Sequence, residues 1–210
     1  MSRRRLRWLG PVLTVALPAA AAMAVVLLTG GSAGQPEAVG GHTAAGLARA
    51  AAIQDGEQPA RGRRGGRPAA PRWISIPAAG VSARVESVEA RRGMLRVPAV
   101  GVAGWYRGGP RPGEAGRAVI IGHLDTKRGP GLFVRVPRLR PGTTVSVTDA
   151  RGDLWRYNVV GAAQVDKDDF PAEQVYGGSP NPVLVLITCG GPFSEKDGYR
   201  DNVLVYARPV

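Results

Sequence analysis

From Trp73 onward the sequence is a succession of short β-branched runs, among them "MLRVPAV" as a predicted strand, and this pattern restricts the fold more than any other feature. Runs such as "VSARVESVE" and "TTVSVTD" alternate apolar and polar residues with a period of two, which is typical of strands. Turn residues such as "RPGEAG" and "KRGPG" separate the runs, no segment has a long apolar period of 3.6 residues, and only "DDFPAEQVYG" indicates a short helical turn. Seven or eight strands within residues 73–210 predict a compact all-β barrel or sandwich.

Residues 1–29 combine an Arg-rich start with an uncharged apolar stretch. Positions 8–28 are long enough to span a bilayer, which takes about 20 apolar residues. The four arginines before the stretch predict a cytoplasmic N-terminus by the positive-inside rule. We therefore predict an uncleaved signal anchor, a transmembrane helix that holds a single-pass protein in the cell membrane with the rest of the chain extracytoplasmic. A cleaved signal peptide is the alternative, although its apolar core is usually shorter.

Residues 30–72 are mostly Gly, Ala, Pro and Arg with few large apolar side chains. Such a segment cannot bury enough apolar surface to offset the entropy of ordering it, so we predict a disordered tether followed by a folded domain at 73–210.

The formal net charge of +12 is spread along the chain, which has 28 Lys/Arg and 16 Asp/Glu residues. Ten of the basic and three of the acidic residues precede Trp73, so the domain has 18 basic and 13 acidic residues. These charges are scattered, and no basic stripe of the kind that binds nucleic acid is present.

The folded segment contains one cysteine and one histidine, and both follow an apolar run: Cys189 ends "VLVLITC" and His123 ends "AVIIGH". A single cysteine excludes an internal disulfide and a multi-Cys zinc site. A free cysteine at the end of a buried strand is structural in most proteins. However, extracytoplasmic proteins tend to lack unpaired thiols, and strand ends are common places for catalytic groups. From these residues alone, two roles remain possible for Cys189 and His123: packing in the core, or catalysis by a thiol and an imidazole.

The run at 183–187 is apolar at every position, which predicts a central strand covered on both faces. Gly190 then leaves the backbone beside the sulfur uncrowded, so that a substrate chain can approach it. A thiolate nucleophile also needs positive charge nearby. Arg200, just before the last strand, and Arg135, in "GLFVRVPRLRPG", are the two candidates, and the alternative for each is an ordinary solvated arginine.

Together these segments resemble the sortases, the cysteine transpeptidases of Gram-positive cell surfaces. "LITC" is similar to the family's TLxTC-type signature, with Thr188 and Cys189 in register, and "GHLD" supplies a histidine earlier in the chain. "GWYRGGPRPGEAG", "VIIGHLDTKRGPGLFVRVPRLRPG", "LITCGGPF" and "GYRDNVLVYA" resemble the actinobacterial class F subgroup. The resemblance covers about 73–210.

The resemblance implies a closed eight-stranded β-barrel with short helical turns and a site at its strand ends. It makes Cys189 the nucleophile, His123 the general acid/base, and Thr188 and Gly190 substrate-binding residues. The enzyme would cleave an LPXTG-like sorting signal of secreted proteins through a thioacyl intermediate and transfer the acyl group to a peptidoglycan-precursor amine.

The resemblance leaves two candidate positions for the catalytic arginine. In the better-known classes it opens the last strand, where this chain has Asn202. Arg200 stands two residues earlier, and Arg135 lies in an "FVRV" element that resembles the class F pattern, so we expect Arg200 with Arg135 as the alternative.

Two further expectations concern cofactors and competing functions. We expect no cofactor and no metal, although "VDKDDFPAE" clusters four carboxylates, because a solvated acidic loop explains them. Water in place of the acceptor amine would make the enzyme a thiol protease, a hydrolase. The alternative from a different class is a non-catalytic, membrane-tethered barrel that binds cell-wall polymer or peptide in the same groove.

Overall fold

The computed structural model describes residues 67–91 and 94–210. The predicted signal anchor and nearly all of the predicted tether lie outside these residues. Within the described residues, no helix is both long and apolar enough to cross a bilayer. The first strand begins at Pro71, two residues before the start that we predict for the domain.

The described chain is built mainly from strands, with one short helix and two 3-10 turns. The strands are β1 (Pro71–Ile76), β2 (Val81–Val88), β3 (Ala90–Arg91), β4 (Met94–Leu95), β5 (Ala103–Tyr106), β6 (Gly116–Ile121), β7 (Asp125–Thr126), β8 (Gly129–Pro130), β9 (Thr144–Asp149), β10 (Leu154–Asp166), β11 (Pro182–Ser194) and β12 (Gly198–Pro209). The helix is α1 (Ala172–Tyr176), which lies within the predicted helical turn, and the 3-10 turns are Pro77–Ala79 and Val136–Arg138.

Eight strands form a closed barrel in the order β1-β2-β5-β6-β11-β12-β10-β9. The pairs β2–β5 and β6–β11 are parallel, and the other barrel pairs are antiparallel. β3–β4 and β7–β8 are two-residue hairpins outside the barrel. The predicted all-β, closed eight-stranded barrel is therefore confirmed.

One strand assignment from the sequence is wrong. The run "MLRVPAV" contributes only Met94–Leu95 to a strand, and β5 takes the place in the barrel that the run was expected to fill. Pro98 has no backbone N–H to give to a strand ladder, and the side chains of Val97 and Val100 are exposed. The segment after β4 instead runs outside the barrel, where it forms one wall of the groove described below.

Two apolar layers lie on opposite faces of β6 and β11. Alternate residues of these strands fill the barrel interior, and the others pack in a second, smaller layer outside it, which includes Val175 of α1. Both faces of β11 are buried from Pro182 to Thr188, so the prediction of a central strand is confirmed. The second layer sets α1 and its flanking loop over β11 and carries the groove on the outer face of the barrel.

A buried carboxylate fixes the start of β1 against the end of β9. Asp149 is 2% exposed and accepts hydrogen bonds from the backbone N–H groups of Ala69, Arg151 and Asp153, with Trp155 Nε1 at 3.4 Å. Burial by itself raises the pKa of Asp149, but these hydrogen bonds outweigh burial and hold the pKa below its usual value. The carboxylate thereby ties the chain that enters the barrel to the β9–β10 turn.

Asp149→Asn is expected to lower the free energy of unfolding by about 2–3 kcal/mol at pH 7, because its amide –NH₂ group faces N–H donors that the carboxylate accepted. The folded-state pKa is lowered, so this stabilisation is present above the unfolded-state pKa near 4 and is lost as pH falls through the lower folded-state value. Urea unfolding of the two proteins should therefore give a smaller difference at pH 3 than at pH 7. Asp169→Asn, at an exposed carboxylate, is the matched control, and an equal loss in both variants would contradict the anchoring role.

Candidate active site

The parallel pairing of β6 and β11 brings the predicted histidine and cysteine to the same end of the barrel. Ile121 is paired with Ile187, and Gly122 N donates to Ile187 O at 3.1 Å. His123 and Cys189 each stand two residues beyond this pair, on strands that run in the same direction and lie about 4.8 Å apart. Equal offsets from one register pair therefore place the two residues side by side, although 66 positions separate them in the sequence.

Both residues line a groove of about 400 Å³ on the outer face of the barrel. Its floor is formed by the end of β6 and the middle of β11 and β12, one wall by the segment around β4, and the other by the loop that carries α1. Most of the lining is apolar. The lining residues are Met94, Leu95, Val97, Pro98, Ile121, Gly122, His123, Lys167, Phe170, Tyr176, Ile187, Thr188, Cys189 and Asn202.

The imidazole of His123 is oriented by a backbone carbonyl on the facing wall. Nε2 lies 3.0 Å from Pro98 O, and because a carbonyl only accepts, Nε2 is the donor in this bond. A neutral ring then has its proton on Nε2 and its lone pair on Nδ1. The contact leaves Nδ1 as the nitrogen that can take up and return a proton.

The backbone of His123 is held by the chain that follows it. Phe133 N donates to His123 O at 2.8 Å, and the buried Phe133 ring lies so close to Gly122 that a Cβ there would be 2.6 Å from it. At Gly131 a Cβ would lie 2.3 Å from His123 O. Gly122 and Gly131 thus let the chain after His123 fold back tightly onto the histidine.

The glycines after the cysteine have a packing role that the sequence did not indicate. Cys189 lies opposite Asn202 in the β11–β12 pair, and a Cβ on Gly190 would lie 2.6 Å from Val203 Cγ2. Gly191 has a φ of 73°, and a Cβ there would meet the carboxylate of Asp201 at 2.2 Å. The two glycines therefore allow the bulge in β11 after the cysteine to pack against β12. The substrate contact that we predict at Gly190 stays a prediction.

Thr188 is 3% exposed and lines the groove. Its hydroxyl oxygen has no hydrogen-bond partner within the described part of the chain. Buried hydroxyls are nearly always hydrogen-bonded, so this one is an exception. Strand alternation turns the Thr188 side chain to the same side as Leu184 and Leu186, toward the barrel interior.

Neither candidate arginine lines the groove. Arg200 Nε donates to the buried carboxylate of Asp201 at 3.0 Å and lies 3.5 Å from Asp166 Oδ2, and its side chain is 59% exposed. The hydrogen bond to Asp201 and its negative charge raise the pKa of Arg200. Arg135 is exposed and precedes the 3-10 turn Val136–Arg138. Asn202 occupies the position directly across from the cysteine.

The loop that carries α1 supplies groove residues that the sequence did not reveal, among them Lys167, Phe170 and Tyr176. Burial raises the pKa of Tyr176 to about 12, so its phenol stays uncharged in the ordinary pH range. The loop is anchored by Arg117 on β6, which is 6% exposed and donates from Nη1 to the carbonyls of Gly177 at 2.7 Å and of the next glycine. The sequence did not indicate this wall, because Phe170 and Tyr176 belong to no recognisable motif.

A second contact joins the histidine side of the groove to the hairpin after the cysteine. The phenol of Tyr199 donates to Asp125 Oδ2 at 2.5 Å, and the Tyr199 ring packs on Phe193 with centroids 5.0 Å apart. The hydrogen bond raises the pKa of Tyr199. The contact connects β7 to β12 across the end of the barrel where His123 and Cys189 lie.

The described residues contain no group of three or more His, Cys, Asp or Glu side chains placed to hold a metal ion. In the acidic loop, Asp166 is engaged by Arg200 and by the backbone N–H of Asp168 at 2.9 Å.

The family model of the sortase domain matches residues 74–210, about two thirds of the chain and the entire barrel after its first residues. The chain belongs to the sortase family. Sortases are cysteine transpeptidases, and this protein is therefore an enzyme of that kind, whose family acts on sorting signals and passes them to a cell-wall amine. The cysteine within β11 and the histidine just after β6, side by side in the groove, agree with that chemistry.

Solved structures of sortases have the same fold. Sortase A from Corynebacterium diphtheriae is 21% identical with a TM-score of 0.54, and the match covers 70% of this chain and 63% of that chain. Sortase A from Listeria monocytogenes is 18% identical with a TM-score of 0.52, covering 66% and 86%. A sortase D5 transpeptidase from Clostridium perfringens is 17% identical with a TM-score of 0.52, covering 67% and 79%. At these identities the likeness establishes the barrel and not the substrate. A search of curated protein sequences finds no match.

Proposed function

We propose that this sortase cleaves an LPXTG-like sorting signal through a thioacyl intermediate on Cys189 and transfers the acyl group to an amine of a peptidoglycan precursor. The observation that carries the proposal is the equal offset of Cys189 and His123 from the Ile121–Ile187 pair, which sets a thiol and an imidazole beside each other in an apolar groove. We further propose that the protein belongs to the class F subgroup, because the segments that follow the histidine and the cysteine resemble that subgroup.

The reaction divides one amide exchange into two acyl transfers. The thiol of Cys189 gives its proton to His123, and the sulfur attacks the threonine carbonyl carbon of the sorting signal, forming a C–S bond. The tetrahedral intermediate collapses with cleavage of the Thr–Gly C–N bond, and His123 returns the proton to the leaving glycine amine. The acceptor amine then attacks the thioester, its proton passes to His123, and the thiol is released.

The groove residues have distinct roles in this mechanism. The Pro98 carbonyl holds His123 with Nδ1 available for the proton transfers. Thr188, which lines the groove next to Cys189, contacts the bound peptide beside the scissile bond. The apolar side chains on both walls exclude water, which favours the amine over hydrolysis of the thioester.

Arg200 is proposed to donate hydrogen bonds to the oxyanion, a role that suits a planar and permanently charged guanidinium. By strand alternation it shares a face of β12 with Asn202, which lies opposite Cys189, and two residues along a strand span about 6.8 Å. A guanidinium on a long, exposed side chain covers that distance when it leaves Asp166, its exposed partner.

Arg200→Ala is expected to lower kcat by about 10²–10³-fold, the usual effect of removing one oxyanion donor, with the melting temperature retained. Arg135→Ala, which removes an equally exposed guanidinium, is the matched control and should leave kcat nearly unchanged. A large loss in Arg135→Ala together with a normal rate in Arg200→Ala would assign the role to Arg135 instead.

The chain is proposed to be held in the cell membrane by a signal anchor at 8–28, with its N-terminus in the cytoplasm and the barrel outside. The four arginines before the apolar stretch support this orientation. In this arrangement the barrel lies on the side of the membrane where both secreted proteins and wall precursors are found.

The substrate is tested with the purified full-length protein, a fluorescent LPXTG-type peptide and hydroxylamine, a small amine that intercepts the thioester. We expect mass spectrometry to show the peptidyl hydroxamate ending at threonine, and no product from a peptide of scrambled sequence. Absence of a hydroxamate across a broad panel of LPXTG-like peptides would contradict the proposed substrate class.

A further inference from the structure

The groove holds one permanently charged side chain among its described lining residues, and that side chain is Lys167. No carboxylate lines the groove, and the walls are otherwise mainly apolar. The ammonium thus gives the groove a positive charge at a defined place, the start of the loop that carries α1.

The backbone contacts of Lys167 fix this place. It directly follows β10, and its backbone N–H donates to Arg200 O at 3.1 Å. Its ammonium donates to the carbonyl of Tyr199 on β12. An ammonium has three donors, so this contact leaves two for a further partner. The side chain therefore rests beside Tyr199, three residues before Asn202 on β12, at the same end of the barrel as the cysteine.

Lys167 has no carboxylate within ion-pairing distance in the described residues, unlike its neighbour Arg200, which is engaged by Asp166 and Asp201. Asp166 and Asp201 pair with the arginine, and the exposed Asp168 and Asp169 that follow Lys167 in the chain form no ion pair with it in the described residues. A groove that displays an ammonium without a counter-charge attracts a ligand that brings a negative charge.

We propose that Lys167 is a specificity-determining residue that selects sorting signals with an acidic side chain at the variable X position of an LPXTG-like motif. The X residue immediately precedes the threonine whose carbonyl is attacked, so its side chain is close to Cys189 when the peptide is bound. This proposal rests on the proposed function. An exposed ion pair contributes up to about 1 kcal/mol, which corresponds to about five-fold in kcat/KM, and the preference weakens at high salt.

The test is a competition in one tube between three peptides that are identical except for Glu, Gln or Lys at X, with hydroxylamine as the acceptor. Product ratios report relative kcat/KM and do not depend on how much enzyme is folded. We expect the full-length wild-type protein to prefer Glu over Gln by about five-fold and to disfavour Lys. Lys167→Gln should abolish the preference and Lys167→Glu should reverse it.

Lys196→Glu makes the same charge change in the β11–β12 turn, outside the groove lining, and should keep the wild-type ratios. The proposal is overturned when the wild-type ratios lie within about two-fold of unity, when Lys167→Glu keeps the preference for Glu, or when Lys196→Glu reverses it equally. In those cases the hydroxamates still form, and the proposed function stands. Absence of a hydroxamate from all three peptides is a failure of the proposed function itself.

Discussion

Cys189→Ala is expected to reduce hydroxamate formation to below detection, a loss on the order of 10⁴-fold or more, because no other thiol exists in the chain to form the acyl enzyme. The methyl group of alanine fits where the half-buried thiol lies, so the barrel should keep its melting temperature and the groove should still bind the peptide. Peptide turnover and peptide binding measured on the same preparation separate loss of chemistry from loss of fold.

Ser194→Ala is the control for this variant, since it changes one polar group on the same strand at an exposed position outside the groove. Its rate should stay within about two-fold of the wild-type rate. Turnover of Cys189→Ala at more than a trace of the wild-type rate would show that the nucleophile is another group and would refute the proposed mechanism.

His123→Ala is expected to lower kcat/KM by about 10²–10⁴-fold, the usual contribution of a positioned general acid/base. The loss has two sources: the thiol no longer has an acceptor for its proton, and the glycine amine has no donor. Added imidazole should restore part of the rate, because the vacated space beside Pro98 opens into the groove.

The chain supplies a matched control in His42→Ala, at its only other histidine. This variant should react at the wild-type rate and should not respond to imidazole. Comparable losses in both histidine variants, or a normal rate in His123→Ala, would remove the acid/base role from His123.

Much of the barrel could be predicted from the sequence, because period-two alternation and β-branched runs report directly which residues face a core. β11 was recognisable as a central strand since an apolar residue at every position requires cover on both faces. β5 escaped notice because "AGWY" is short, begins with two small residues and shows no alternation. The run "MLRVPAV" looked like a strand by composition, but Pro98 removes a donor that a ladder needs.

The sequence identified the two candidate catalytic residues but not the contacts that bring them together. The position of His123 followed from the end of β6, but the expectation that Cys189 ends its strand is wrong, because β11 continues to Ser194. The parallel register that sets the two residues side by side is a long-range property. The packing roles of Gly122 and Gly190 depend on Phe133 and Val203, which lie on other elements.

The roles of Lys167 and of the Pro98 carbonyl could not be predicted from the sequence for a similar reason. Lys167 faces the groove because its loop is fixed to β12 through Arg200 O, and Pro98 faces His123 because its segment left the barrel. Neither contact involves a motif or a spacing. The ion pair of Arg200 with Asp166 likewise becomes visible only when the last strand lies beside β10.

The central claim is that Cys189 carries the acyl group, and intact-protein mass spectrometry tests it most directly. The full-length protein is mixed with an LPXTG-type peptide without acceptor amine and quenched in acid, so that only water competes for the thioester. The mechanism predicts a mass increase equal to the peptide acyl group ending at threonine, mapped to Cys189, removed by hydroxylamine and absent in Cys189→Ala. Peptide cleavage without any adduct on Cys189, or an adduct that persists in Cys189→Ala, would contradict it.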